Sequence, residues 1–167
     1  GDHLAAGMST SLGARGVVPE DHPHYFHIFD MATTTAVRSD ADVVLVVGAR
    51  LGEYDGWGMP PAWGDPDTQH TIQIDCDPMS IGLNRPVDEV VVADALGALT
   101  ALSAAVRARC EPRTELVDAE RYAAMNAETV NNAAPFVMAE GADGVNQGQM
   151  VMAARAVFDR DDIRVVE

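Results

Sequence analysis

Charged side chains follow three apolar runs of this sequence, at positions where they could contact a nucleotide. Arg50 lies two residues beyond Gly48, which follows the first run; Asp75 ends the second run, and Asp94 follows the third. A guanidinium offers a planar pair of donors to phosphate oxygens, and a carboxylate accepts hydrogen bonds from ribose hydroxyls. Glycine permits close approach of a ligand to the backbone. Together with Cys76, which lies beside Asp75, these residues form the predicted cofactor-binding set.

Each of these residues also has a structural interpretation that needs no ligand. Arg50 could pair with one of the many nearby acids, and Asp75 could cap the short helix that begins at Pro78. Asp94 precedes a helical pattern and fits an N-cap better than a ligand contact. Cys76 has no basic neighbour or histidine in the sequence to activate its thiol, so we expect a small buried residue rather than a nucleophile.

Three histidines, His22, His24 and His27, cluster in one loop and suggest a metal site at first inspection. Their spacing comes with no accompanying carboxylate pattern, so the sequence predicts no metal ligand. The two cysteines, Cys76 and Cys110, lie far apart and form no CxxC motif. This arrangement indicates neither a disulfide framework nor a structural metal, and it favours a cytoplasmic location.

The composition argues against several classes of function. The formal net charge is −15, from 26 acidic and 11 basic residues, and this charge would repel a nucleic acid backbone. The sequence has no apolar stretch approaching about 18 residues and no signal-peptide pattern, so we expect neither a membrane span nor secretion. Hydrophobic residues make up 47% of the chain but aromatic residues only 5%, which favours parallel strands and small-residue helices over an all-β sandwich.

The elements that must position the candidate residues alternate between strand and helix. After a predicted strand near residues 7–11 and a long loop, Asp30 can cap a helix over 31–38. Residues 43–47 form an uninterrupted apolar run, which predicts a central strand covered on both faces. Further predicted elements are a strand over 71–75, a one-turn helix from Pro78, a strand over 89–92 and a helix over 95–109. This alternation predicts an α/β fold with a doubly wound parallel sheet.

The predicted helix over 95–109 carries an apolar stripe that we expect to face the sheet, formed by Leu96, Leu99, Leu102 and Val106. Beyond it the sequence predicts a polar helix over 114–129, a linker over 131–135, a helix over 147–158 and a strand over 163–166. We therefore expect three segments: a domain over 1–112, a helix and linker over 113–143, and the start of a further domain over 144–167.

Three passages of the sequence resemble motifs of one enzyme family. Residues 12–23, LGARGVVPEDHP, are similar to a loop of the form GKGxxPxDHP, and residues 39–51 are similar to a strand of the form ADxxLxxGxRL. Residues 73–78, with Ile81, Gly82 and Asp94, are similar to the pattern xIDxDPxxIG…GDA. In this order, over about residues 7–108, they resemble the central domain of thiamine diphosphate-dependent enzymes, the family of acetolactate synthase, oxalyl-CoA decarboxylase and 2-hydroxyacyl-CoA lyase.

The resemblance implies a Rossmann-like sheet that is incomplete at its first strand, with residues 144–167 opening the family's C-terminal domain. It implies a parent enzyme that makes or breaks a carbon–carbon bond beside a carbonyl, using thiamine diphosphate held by Mg²⁺. The family's glutamate-bearing domain and its GDG…N motif do not occur in this sequence. We therefore expect this chain alone to be inactive.

The same resemblance suggests a ligand and partners. In family members that bind ADP or FAD in this domain, the acid that matches Asp75 approaches the adenosine ribose. We also expect a homo-oligomer, a dimer or a tetramer, because the sheet edge without its first strand and the strand over 163–166 both invite pairing. The remaining domains of the parent enzyme are further expected partners. Two alternatives stay open: a free-standing ADP- or FAD-binding regulatory module, and an interaction protein with a degenerate fold.

Overall fold

The computed structural model describes residues 1–138, 144 and 147–158 of the chain. The longer elements among these residues, numbered in chain order, are α1 Met31–Asp40, β1 Val43–Val47, β2 His70–Asp75, β3 Glu89–Val92, α2 Ala95–Arg109, α3 Ala119–Met138 and α4 Gln147–Val157. Short 3₁₀ helices cover Asp2–Leu4, Leu12–Ala14, Glu53–Gly58 and Pro78–Ser80. None of the helices in this described part is long and apolar enough to cross a membrane.

The three strands form one parallel sheet in the order β1, β2, β3. Val43 aligns with His70 in the first pair, and Ile72 aligns with Glu89 in the second. Parallel neighbours need long connections, which the loop after β1 and the segment containing Pro78–Ser80 supply. The parallel α/β arrangement predicted from the sequence is confirmed, and the carboxyl ends of the three strands lie along one edge of the sheet.

Helix α1 begins where the sequence predicts, because Asp30 caps it. Asp30 Oδ1 accepts a hydrogen bond from the backbone N–H of Thr33 at 3.2 Å. Threonine is a weak helix former, but Thr33 and Thr34 are both buried here. The Thr34 hydroxyl donates to the carbonyl oxygen of His27 at 2.8 Å. Tertiary contacts, and not intrinsic helix propensity, therefore stabilise α1.

Two apolar clusters form around aromatic side chains. The residues of the first cluster are Val44, Val46, Leu51 and Trp63. The residues of the second are Phe26, Ala36 and Tyr122. Trp63 Nε1 donates to the carbonyl oxygen of Asp55 at 2.6 Å, and this bond anchors the irregular loop after β1. The rings of Phe26 and Tyr122 meet edge to face with centroids 5.6 Å apart, which attaches the start of α3 to the loop before α1.

The sheet is more exposed than the sequence predicts. Val43 and Leu45 of β1 are 55% and 43% exposed, so the prediction of a strand covered on both faces is wrong. Helix α2 contacts β2, yet none of its residues is buried, and Leu96 is 77% exposed. The apolar stripe of α2 is therefore not buried against the sheet as predicted. No element among the described residues covers these side chains, and sequence periodicity carries no information about a covering element.

The strand predicted near residues 7–11 is reduced to a single parallel bridge between Met8 and Tyr25. Met8 donates its N–H to the carbonyl oxygen of His24 at 2.7 Å, and Phe26 donates its N–H to the carbonyl oxygen of Met8 at 2.8 Å. The 3₁₀ helix at Leu12–Ala14 turns the chain before a longer ladder can form.

The chain divides into two compact units, Gly1–Met125 and Asn126–Glu167. Helix α3 begins at Ala119 instead of residue 114, and it continues through residues 131–135, where the sequence predicts a linker. Ala133 and Ala134 favour this continuation, because alanine is the strongest helix former, whereas Pro135 opposes it. The helix predicted over 147–158 is confirmed as α4. The strand predicted over 163–166 lies outside the described residues.

Candidate functional site

The carboxyl-terminal edge of the sheet brings predicted ligand residues together. Gly48 follows β1 and donates its N–H to the carbonyl oxygen of Ile74 at 2.9 Å. Its φ angle of 60° lies in the left-handed region, which glycine adopts without strain. A methyl group at Gly48 would meet no atom within 4 Å, so the backbone conformation explains this glycine and open space lies beside it.

A buried amide holds the loops of this edge in place. Gln73 of β2 is 4% exposed, and its Nε2 donates to the carbonyl oxygens of Ala49 at 3.1 Å and Ser80 at 3.3 Å. Its Oε1 accepts the N–H of Gly82 at 2.9 Å. One side chain therefore joins the segment after β1 to the segment after β2, and it uses both ends of its amide to do so.

Asp75 ends β2 and is 8% exposed. Its Oδ1 accepts the N–H of Asp77 at 2.9 Å, whereas no described residue donates to its Oδ2. The N-cap of the Pro78–Ser80 helix is Asp77, whose Oδ1 accepts the N–H of Met79 at 3.0 Å. Asp75 therefore stabilises the turn before this helix and does not cap it, which corrects the structural interpretation from sequence. One of its carboxylate oxygens is left for another donor.

Arg50 is exposed at the same edge, two residues beyond Gly48. Its carbonyl oxygen accepts a hydrogen bond from Nδ2 of Asn84 at 2.7 Å, which fixes the backbone at this position. Its guanidinium forms no ion pair with any described residue, so the salt bridge considered from the sequence is not found in this part of the chain. The edge thus carries one open cation and one partly open carboxylate.

The remaining two predicted residues have clear local surroundings. Asp94 Oδ1 accepts the N–H of Gly97 at 3.1 Å and caps α2, as its structural interpretation predicts. Cys76 is exposed, so the prediction of a small buried residue is wrong. It lies in the bend that follows β2, outside the paired part of the strand.

A buried arginine that the sequence pattern did not predict lies beneath the loops of this sheet. Arg85 is only 2% exposed. Burial lowers the pKa of Arg85, and the negative charges of Asp65 and Asp88 oppose that shift. The sequence does contain one signal for a buried polar partner such as Arg85. Polar residues alternate with isoleucine in β2, which indicates that one face of this strand meets a polar group.

A cavity of about 250 Å³ lies beside α1, and none of the predicted ligand residues lines it. Its lining includes Phe29, Met31, Tyr54 and Arg38. The Arg38 guanidinium carbon lies 4.8 Å from the ring centre of Trp63, and Nη2 lies 3.4 Å from a carboxylate oxygen of Asp55. Burial lowers the pKa of Arg38, and Asp55 opposes that shift. This guanidinium already has an aromatic and an anionic partner, so it is not an open cation like Arg50.

Comparison with known proteins decides the family. Residues 2–102 match the model of the thiamine pyrophosphate enzyme central domain, thiamine pyrophosphate being another name for thiamine diphosphate. This chain belongs to the thiamine pyrophosphate enzyme family. The resemblance carried by the sequence motifs is confirmed, and the parallel α/β sheet agrees with the Rossmann-like fold expected of this central domain.

Several curated proteins are similar to this central domain. The chain is 33% identical to the thiamine pyrophosphate-containing protein YdaP of Bacillus subtilis over 100 residues, which are 58% of this chain and 16% of the relative. It is 33% identical to the oxalyl-CoA decarboxylase of Escherichia coli K12 over 94 residues, which are 56% of this chain and 15% of the relative. It is 27% identical to the sulfoacetaldehyde acetyltransferase of Rhodobacter capsulatus over 160 residues, which are 92% of this chain and 27% of the relative. The chain thus spans about a sixth to a quarter of the length of these relatives.

Proposed function

We propose that the chain is the central structural and nucleotide-binding domain of a thiamine diphosphate-dependent carbon–carbon lyase, decarboxylase or acetolactate synthase-like enzyme. Family membership and similarity to a decarboxylase and an acetyltransferase support a parent enzyme of this type. Thiamine diphosphate, held through Mg²⁺, supplies carbanion-stabilising chemistry when bound to such an enzyme. The 167 residues contain no GDG…N motif, so this chain's own residues do not fit that group.

The nucleotide part of the proposal rests on one observation: the open Oδ2 of Asp75 lies at the same sheet edge as the exposed guanidinium of Arg50. A ribose hydroxyl can donate to that oxygen, and the guanidinium can hold the oxygens of a diphosphate. Open space also lies beside Gly48, which follows β1 at this edge. ADP and FAD share an adenosine diphosphate moiety, and this arrangement of donor, acceptor and space suits that moiety.

Calorimetric titration of the chain with ADP and with FAD tests this nucleotide site. We expect saturable binding of at least one of them, weakened at least about tenfold by Asp75→Asn and by Arg50→Ala, since loss of a charged hydrogen bond costs about 1.5–3 kcal/mol. Asp75→Asn keeps an oxygen for the N–H of Asp77 while it replaces the open acceptor with a donor. Asp67→Asn and Arg107→Ala change exposed residues of the same types and serve as matched controls.

Two results would contradict the nucleotide site. One is the absence of measurable heat with either ligand, which is the behaviour of a purely structural domain. The other is equal weakening by the control substitutions, which would indicate a general effect of charge. The expected inactivity is tested separately: the chain with thiamine diphosphate and Mg²⁺ should release no CO₂ from oxalyl-CoA or pyruvate.

We further propose that the parent enzyme is a cytoplasmic homo-oligomer, a dimer or a tetramer, in which this domain contributes to assembly. The exposed apolar side chains of β1 and α2 support an assembly role, because such patches mark contact surfaces on proteins. The remaining domains of the parent enzyme are the second class of partner. The limited share of the relatives that this chain covers supports their existence.

A further inference from the structure

A carboxylate and two imidazoles from separate parts of the sequence meet in the loop region before α1. They belong to Asp2, in the first 3₁₀ helix, and to His22 and His24. One ligand atom from each residue lies within 4.8 Å of the other two. His22 Nε2 and Asp2 Oδ1 are already 2.8 Å apart. The sequence predicts no metal site at these histidines because no carboxylate pattern accompanies them, but the fold brings one from twenty residues upstream of His22.

Backbone hydrogen bonds hold the two histidines in position. His22 donates its N–H to the carbonyl oxygen of Pro19 at 3.0 Å, and its own carbonyl oxygen accepts the N–H of Tyr25 at 2.9 Å. The carbonyl oxygen of His24 accepts the N–H of Met8 at 2.7 Å. Ligands on a backbone fixed in this way lose little freedom when they bind an ion, which favours binding.

His24 carries the second observation that points to a ligand. Its Nδ1 is buried and has no hydrogen-bond partner among the described residues. Buried polar atoms in proteins nearly always have a partner, so an exception of this kind calls for one. A metal ion bound by His24 through Nδ1 would provide that partner.

His22 must change its protonation pattern to take part. Its Nδ1 accepts the N–H of His24 at 3.1 Å, which leaves the ring proton on Nε2, where it points to Asp2. When Nε2 binds a metal ion, this proton moves through solvent to Nδ1, so the ring stays neutral. The hydrogen bond from the His24 N–H is then lost, and the ring turns to accommodate the change.

We propose that Asp2, His22 and His24 form a binding site for a divalent transition metal ion of the Zn²⁺ class. Two imidazole nitrogens and one carboxylate oxygen suit Zn²⁺ better than Mg²⁺ or Ca²⁺, which prefer oxygen ligands. Ligand atoms around a tetrahedral Zn²⁺ lie about 3.3 Å apart, so the most distant pair must approach by at most about 1.5 Å to complete the site. The fourth position is left for water or for an external ligand.

His27 is the natural control because it lies in the same loop but outside the set. Its Nε2 lies 3.4 Å from Oε1 of Glu20, and its Nδ1 accepts the N–H of Phe29 at 3.1 Å. Both of its ring nitrogens therefore have other partners. His27→Ala therefore changes the same loop to a similar degree without removing a proposed ligand.

Calorimetric titration with ZnCl₂ tests the site. The exposed thiols of Cys76 and Cys110 also bind zinc, so every titration uses a chain with both cysteines changed to serine. We expect one saturable site per chain, weakened at least about tenfold by His22→Ala, by His24→Ala and by Asp2→Asn, and unchanged by His27→Ala. Absence of a saturable site, persistence of binding in His22→Ala and His24→Ala, or equal loss in His27→Ala would overturn the proposal.

A second test uses nuclear magnetic resonance of a chain that keeps all its histidines. It therefore does not depend on whether the histidine variants fold. On addition of ZnCl₂ the imidazole Cε1–H signals of His22 and His24 should shift together and saturate at one equivalent. The corresponding signal of His27 should stay in place. Shifts spread over all the histidines, or confined to His27, would contradict a site at Asp2, His22 and His24.

Discussion

Arg85 donates through Nε to the hydroxyl oxygen of Thr71 at 2.8 Å, and both side chains are almost completely buried. Its Nη2 donates to Oε1 of Gln69 at 3.0 Å, and its Nη1 donates to the carbonyl oxygens of Gly58 and Gly64. This guanidinium therefore connects β2 to two parts of the irregular loop after β1. No carboxylate of the described residues lies within hydrogen-bonding distance of it, so its direct partners are neutral oxygens. The negative charges of Asp65 and Asp88 favour its charged form without a hydrogen bond.

Replacement of Arg85 by alanine should lower the free energy of unfolding by about 3 kcal/mol or more, because several buried acceptors lose a charged donor at once. Arg85→Lys should recover only part of this, since an ammonium group cannot reproduce the fork of a guanidinium. Urea unfolding followed by circular dichroism measures both. Arg107→Ala, on the exposed side of α2, should change stability by less than about 0.5 kcal/mol. Equal midpoints for the Arg85 and Arg107 variants would refute the connecting role of Arg85.

Gly48→Ala should destabilise the protein by about 1–2 kcal/mol, because alanine is strained at a φ angle of 60°. Steric contact adds nothing, since the new methyl group meets no atom within 4 Å. Gly13→Ala is the matched control, with the same open space and no positive φ angle. Urea unfolding of the pair separates backbone strain from the general effect of replacing glycine, and indistinguishable curves would rule out strain at Gly48.

Removal of the α2 cap should have a moderate effect. Asp94→Ala leaves the N–H of Gly97 without its acceptor and should cost about 1 kcal/mol. Asp94→Asn keeps a side-chain oxygen at the same position and should behave much like the original protein. The helical circular dichroism signal during thermal unfolding reports the difference. An asparagine variant as unstable as the alanine variant would mean that the negative charge, and not the cap, stabilises α2.

Tyr122 should contribute to loss of stability in alkali. Burial raises the pKa of Tyr122, and the charge of Asp40, whose Oδ2 accepts the phenol hydrogen bond at 3.3 Å, raises it further. The folded protein therefore holds this proton more tightly than the unfolded chain. The resulting stabilisation is present below the ordinary tyrosine pKa of about 10 and is lost as the pH rises through the higher folded value.

The tyrosine prediction is measured by urea unfolding between about pH 8 and pH 11, a range chosen around the tyrosine pKa. Tyr122→Phe should make stability less dependent on pH over this range than in the original protein. Tyr54→Phe, at a side chain 75% exposed, should leave the dependence unchanged. Identical slopes for the original protein and Tyr122→Phe would show that the phenol does not titrate in the folded state as expected.

The exposed apolar face of β1 should make the chain associate. Leu45 is 43% exposed on a strand at the edge of the sheet, and such edges readily pair with another chain. Sedimentation velocity should show oligomers whose proportion rises with concentration, and Leu45→Lys should reduce them. Val17→Lys adds the same charge at a loop residue 77% exposed and should not. A strictly monomeric profile for the original chain would refute this expectation.

The bounds of elements that have a strong local sequence pattern could be predicted to the exact residue. Strand β3 and helix α2 cover 89–92 and 95–109, as the sequence predicts. The apolar run fixes the strand, and Asp94 fixes the start of the helix through a bond that spans three residues. Both signals are local in sequence, so no knowledge of the tertiary structure is needed to interpret them.

Burial was less predictable, because it depends on what lies against a surface. The pattern of β1 indicates which side chains share a face, but the exposure of Val43 follows from the absence of a covering element among the described residues. Cys76 is a similar case, because it lies in the bend that follows β2 and is exposed there. In both positions the composition indicates a buried residue, and the arrangement of neighbouring elements decides otherwise.

The two candidate sites also differ in how far the sequence predicts them. The placement of Arg50 and Asp75 at one edge follows from the parallel sheet and could be predicted from the two strand ends. The approach of Asp2 to His22 has no local signal, because it depends on the bridge between Met8 and Tyr25 that folds the N-terminal segment back. Long-range polar contacts of this kind are visible only in three dimensions.

The arrangement of the carboxyl-terminal edge depends on the amide of Gln73. Hydrolysis of this amide to an acid would turn its nitrogen donor into an oxygen, directly opposite the carbonyl oxygens of Ala49 and Ser80. Two attractive contacts would become repulsive, and the segments after β1 and β2 would be pushed apart while the strands stayed paired. Such molecules would carry a mass increase of about one unit, which mass spectrometry detects.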